Sequence, residues 1–97
     1  MNPPINKPVY FKCKSLMNPL MISSVIAITI SNNKDGIKIK MIAAAGTLPW
    51  VWNTQNPIGF LSTKHIISWK IIPPEELPLY LGYPYVWPAL TQLIKDA

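Results

Sequence analysis

The chain has 97 residues, a formal charge of +5, eleven prolines against four glycines, and one cysteine. With 49% apolar and 13% charged residues it is no disordered charged tail, and its prolines exclude a long helical bundle or coiled coil. Single cysteine and histidine residues, Cys13 and His65, exclude a disulfide framework and a multi-cysteine or histidine-based metal site. All nine basic residues are lysine, so the planar fork with which arginine reads guanine is missing and specific DNA reading is not expected.

Residues 1–8 read as an extended, proline-rich arm. They lack the charged region leading into an apolar run that marks an export signal. With a lone thiol, a reducing, cytoplasmic setting is the expectation. Residues 9–14 alternate as a strand, with Val9, Phe11 and Cys13 on one face and Tyr10, Lys12 and Lys14 on the other. Residues 15–30 are uncharged and long enough to pose a choice between a strand and a membrane-embedded segment. Asn18, Pro19 and several serines weigh against the membrane reading, which is not favoured.

Ile26, Ile28 and Ile30 alternate with small or polar residues, and turn formers follow from Asn32 to Asp35-Gly36. Alternation resumes at Ile37, Ile39 and Met41, so a hairpin is expected with both apolar sets facing one core and Lys38 and Lys40 outward. Residues 47–63 read as a loop-rich connection. Residues 65–72 form a further strand, with Ile67, Trp69 and Ile71 on one face, ended by Pro73-Pro74. Pro74-Glu75-Glu76 opens at most two helical turns; residues 79–85 are expected to be extended, and Pro88 to start a last helix reaching Asp96. The expected fold is a single α+β domain over 1–97, a twisted antiparallel sheet of about four strands with a C-terminal helix and a proline-aromatic tail over 78–97.

Catalytic constellations are sparse. Glu75 and Glu76 suit a helix start and Asp35 a turn, and neither pattern brings paired carboxylates to one bond. Cys13 and His65 offer a nucleophile–base pair on paper, but a cysteine on an apolar strand face reads as a core residue. No enzyme, cofactor or metal is expected. Lys12, Lys14, Lys38 and Lys40 would line one sheet face if their strands were neighbours, as a solvated face or an anion site.

The most informative stretch is Pro49-Trp50-Val51-Trp52-Asn53-Thr54-Gln55-Asn56. Two tryptophans followed by amide and hydroxyl side chains suit either a core plug before a polar loop, or a pocket that stacks a ring and hydrogen-bonds its edge. In the pocket reading Trp50 and Trp52 stack, Asn53, Thr54 and Gln55 read polar edges, and Lys64 and His65 meet a phosphate.

Residues 39–51, with Ala-Ala-Gly-Thr before Pro49-Trp50-Val51, then Thr54-Gln55-Asn56 and the strand around Trp69, resemble a family of small phage proteins, the Thoeris anti-defence sponges of the second type. The likeness spans about a third of the chain. The family's N-terminal helix and Gly-Trp-Asn segment have no counterpart here. The resemblance implies a non-catalytic viral oligomer that sequesters a cyclic nucleotide signal. The expected function is therefore a self-associating binding protein for an anionic, nucleotide-like small molecule. The alternative is an accessory subunit of a larger viral or membrane-associated assembly, docked through the apolar tail 77–87.

Overall fold

In a computed structural model, the described residues are 3–14, 22–45, 58–82 and 85–87. They form the strands β1 (Pro8–Lys14), β2 (Ile22–Asn33), β3 (Gly36–Ala45), β4 (Ile58–Ser62), β5 (Ile66–Ile71) and β6 (Tyr85–Val86), with a 3-10 helix η1 (Pro74–Gly82) before β6. Every pairing is antiparallel, and the strands run in the order β4-β3-β2-β1-β5, with β6 beside the far half of β3. The first and last strands of that path, β4 and β5, are joined directly through Thr63-Lys64-His65. Two strands at opposite ends of a sheet can be joined by three residues only if the sheet curls, so it wraps into a small, partly open barrel.

The β2–β3 hairpin turns where the sequence places it. Asn33 pairs with Gly36, and the Asn33 side-chain oxygen accepts the backbone N–H groups of Asp35 (2.8 Å) and Gly36 (3.0 Å). Lys34 and Asp35 form the tip. The register differs from expectation, however. Ala27 lies opposite Met41 and Thr29 opposite Ile39, so Ile37, Ile39 and Met41 share the interior with Val25 and Ala27. Ile26 and Ile28 face outward into a second cluster, and Ile30 sits where the pairing slips between Thr29 and Ser31. A one-residue offset moves a whole strand's side chains to the other face. Both faces of β2 are buried, so its isoleucine stripe did not reveal which face was interior.

Two cores result. Val9, Phe11, Cys13, Leu61 and Trp87 join the interior residues of β2 and β3, with Ile66 and Trp69 packed against them. On the outer face, Ile72 and Leu77 cover Ile26, Ile42 and Ala43, flanked by Tyr10, Ile28, Tyr80 and Val86. A second slip, between Ile26 and Ala27, leaves Ile42 unopposed on β3, and the third lies at Lys12/Cys13 of β1 against β5. Such bulges sharpen strand twist and help a short sheet to curl.

Several expectations are corrected. The connection 47–63 contains β4, which alternation concealed because its outward residues, Ile58 and Phe60, are apolar and its inward residues include Gly59. The sheet thus has five main strands rather than four. Residues 79–82 are not extended; they continue η1 despite Pro78. The helix expected from Pro88 lies outside the described residues, and the helix that is described is the 3-10 segment preceding β6. The tail's Leu77 and Trp87 are buried in their own fold, leaving Leu79 exposed. The arm is tied down as well: Asn6, in a left-handed conformation at φ 63°, donates its N–H to Thr29 O (2.8 Å), and Asn32 Nδ2 donates to Pro3 O (2.8 Å). β2 accounts for residues 22–33, and among the described residues no helix is long and apolar enough to cross a membrane.

Two substitutions test this packing. A β-carbon at Gly36 would collide with the Leu61 carbonyl oxygen and the Phe60 ring. Backbone cannot yield as a flexible side chain can, so Gly36→Ala should cost about 1–3 kcal/mol in urea unfolding. The Thr29 hydroxyl is buried with no hydrogen-bond partner among the described residues. Thr29→Val, which removes the unsatisfied group and keeps the shape, should raise stability by about 1 kcal/mol in the same measurement.

Candidate functional site

The outer face of the β1–β5 ladder carries the one cleft that combines charge with aromatic rings among the described clefts. Tyr10 pairs with Lys70 and Lys12 with Ser68, so these four side chains form a cross-strand quartet facing away from the interior. Tyr80 reaches the same place from η1. Together with Trp69 these residues line a cleft of about 380 Å³, the size of a small-molecule site. No carboxylate is among them.

Tyr10 organises the quartet. Its hydroxyl shares a 2.8 Å hydrogen bond with Ser24 Oγ on β2, which fixes the ring. The Lys70 ammonium stands 5.5 Å from the ring centroid, within range of a cation–π contact. The Tyr80 ring lies 6.3 Å from Tyr10, tilted by 37°. Lys12 and Lys70 occupy diagonal corners, where side chains stand about 7–8 Å apart, so an anion can sit between two ammonium groups without forcing them together.

Of the residues singled out in the sequence, Trp50, Trp52, Asn53, Thr54 and Gln55 lie outside the described residues. Lys64 and His65 are placed: they form the β4–β5 corner, Lys64 exposed and His65 half-buried. The neighbouring hydroxyls of Ser62 and Thr63 are engaged in the corner itself. Ser62 Oγ accepts the Lys64 N–H (3.4 Å), and Thr63 Oγ1 donates to Asp35 O (3.4 Å). The His65 carbonyl accepts the Lys14 N–H (2.8 Å), so the corner abuts the ladder whose middle carries the cleft. Lys12 and Lys14 are separated from Lys38 and Lys40 by β2, and the four lysines make no single row. Lys70 and Ser68 were missed in the sequence because the ladder that joins them to Tyr10 and Lys12 is long-range, and Tyr80 because it arrives from η1; the available signal was the alternation of Ser68 and Lys70 around Trp69.

The Cys13 thiol points into the interior core, and Ile66, not His65, is its cross-strand partner. Burial pushes the thiol up from its ordinary value of 9.0 to about 12. A thiol held neutral is a poor nucleophile. Among the described residues, no three His, Cys, Asp or Glu side chains gather into a group that could hold a metal ion.

No known family model, curated protein or solved structure matches the chain.

The raised thiol has a consequence for stability with a definite sign. Folding favours the protonated form, so this contribution is complete below pH 9.0 and is lost as pH rises toward about 12. Urea unfolding of the wild type and of Cys13→Ala at a series of alkaline pH values should show the wild type losing stability faster. Parallel curves would refute the assignment.

Proposed function

We propose that the protein is a non-catalytic binding module that captures an anionic, ring-bearing small molecule of nucleotide type. The observation that carries this reading is the lysine–tyrosine quartet on the outer face, with Lys70 over the Tyr10 ring and Lys12 at the diagonal corner. In this reading a ligand ring stacks in the region of Tyr10 and Tyr80, and its phosphate takes hydrogen bonds from Lys12, Lys70 and the Ser68 hydroxyl. The resemblance noted above supports the same ligand class. The pocket read from the sequence draws instead on Trp50, Trp52, Asn53, Thr54 and Gln55 for ring stacking and edge contacts and on Lys64 and His65 for phosphate.

The accessory-subunit alternative leaned on the apolar tail. Of that tail, Leu77 and Trp87 are buried in the fold, whereas Leu79 is exposed.

Titration with adenosine monophosphate, followed by amide chemical shifts, tests the reading. Shifts should centre on Tyr10, Ser68 and Lys70. Lys12→Ala and Lys70→Ala should each weaken binding about tenfold, the scale of one charge-assisted hydrogen bond. Binding that survives both changes but fails in Trp50→Ala would move the site to residues 50–55. No binding by the folded wild type would refute the nucleotide reading.

A further inference from the structure

Among the described residues, charged and exposed apolar side chains lie side by side on two complementary surfaces. The first is the outer face of the β3–β4 ladder. Lys38 lies opposite Phe60 and Lys40 opposite Ile58, so a column of two lysines runs beside a column of two apolar side chains. All four are exposed, Phe60 at 47% and Ile58 at 40%. Phe60 is held in place by leaning across Gly36, the residue at which a β-carbon would strike its ring.

The second surface is the solvent side of η1. In a 3-10 helix side chains three apart eclipse one another. Leu77 and Tyr80 therefore share the face that packs on the outer core. Glu76 stacks under Leu79, and Glu75 under Pro78. Leu79, at 76% exposure, is the most exposed of the large apolar residues described. The ridge thus sets two carboxylates one turn from an exposed apolar pair.

The dimensions agree as well as the signs. One 3-10 turn advances about 6 Å, and neighbouring strands lie about 4.8 Å apart. A ridge carrying acid then apolar can straddle a ladder carrying lysine beside apolar. We propose that the protein self-associates head to tail, with Glu75, Glu76 and Leu79 of one copy seated on Lys38, Lys40, Ile58 and Phe60 of the next. Two different surfaces meet, so an open assembly always keeps one of each unfilled at its ends and grows as a filament unless a ring closes. The inference is independent of the ligand reading, since Lys38, Lys40, Ile58, Phe60 and Leu79 are absent from the cleft lining.

Sedimentation velocity of the full chain across a concentration series tests it. At low salt the sedimentation coefficient should rise with concentration, and the rise should diminish in 1 M NaCl, where the screening length is about 3 Å. Lys38→Glu with Lys40→Glu should abolish the rise, as should Glu75→Lys with Glu76→Lys. An equimolar mixture of these two variants should recover it, because each supplies the charge that the other lacks. Leu79→Asp, at an exposed position, should also abolish it, and serves as the second arm where a charge reversal unsettles the fold. A wild type that remains monomeric at low salt overturns the proposal. So does association that survives Leu79→Asp, or a mixture of the charge variants that fails to recover it.

Discussion

The corner at Thr63-Lys64-His65 is the constraint on which the rest of this structure depends. It ties the two ends of the strand path together and is secured on three sides. The His65 N–H donates to Ser62 O at 3.0 Å, the Lys14 N–H donates to His65 O, and the Thr63 N–H donates to Asp35 O at 3.1 Å. The last bond fastens the corner to the tip of the β2–β3 hairpin. A chain of this size buries a limited share of its surface, and an open sheet would leave one face to water. Curling the sheet encloses Phe11, Ile39, Met41 and Leu61 without a second layer.

Closure then leaves the outer face of β1, β2 and β3 to be covered by other means. η1 does so from the chain's far side, with Ile72 and Leu77 seated on Ile26, Ile42 and Ala43, while the Trp87 N–H donates to Ile42 O at 2.6 Å and Trp87 itself enters the interior. The cover is incomplete at the β1–β5 end. There Tyr10 is half-buried against Tyr80, and Lys12, Ser68 and Lys70 stay exposed beyond it. The cleft is therefore a product of the packing: a short 3-10 helix cannot shield the full width of a five-strand face. Tyr10 belongs to both structures, since its ring supports the outer core and presents a face to Lys70.

Local patterns in the sequence were informative where one face was polar. β1 alternates cleanly because Lys12 and Lys14 face solvent, and Val9, Phe11 and Cys13 lie inside as expected. The hairpin turn is legible because Asn33 hydrogen-bonds its own neighbours, a purely local interaction. Legibility fails where both faces are apolar. β2 buries Val25 and Ala27 on one side and Ile26 on the other, and period two cannot say which side is inside. β4 fails for the opposite reason, with Ile58 and Phe60 facing water while Leu61 faces the interior. The cleft needed the pairing of Phe11 with Trp69, a contact that no stretch of sequence announces. Half of the quartet, Tyr10 and Lys12, was visible as aromatic and cationic residues on one strand face; the other half required the register.

The use of lysine alone shapes what such a cleft can recognise under the proposed reading. An arginine fork fixes both the distance and the plane of its partner, and so selects among anions by shape. A lysine ammonium is a point charge on a flexible stem, and two of them on a diagonal tolerate a phosphate in several orientations. Selectivity must then come from the rigid elements, which here are Tyr10, anchored through Ser24, and Tyr80, carried on η1. Charge would draw in anions broadly, and the ring contacts would decide which of them stay.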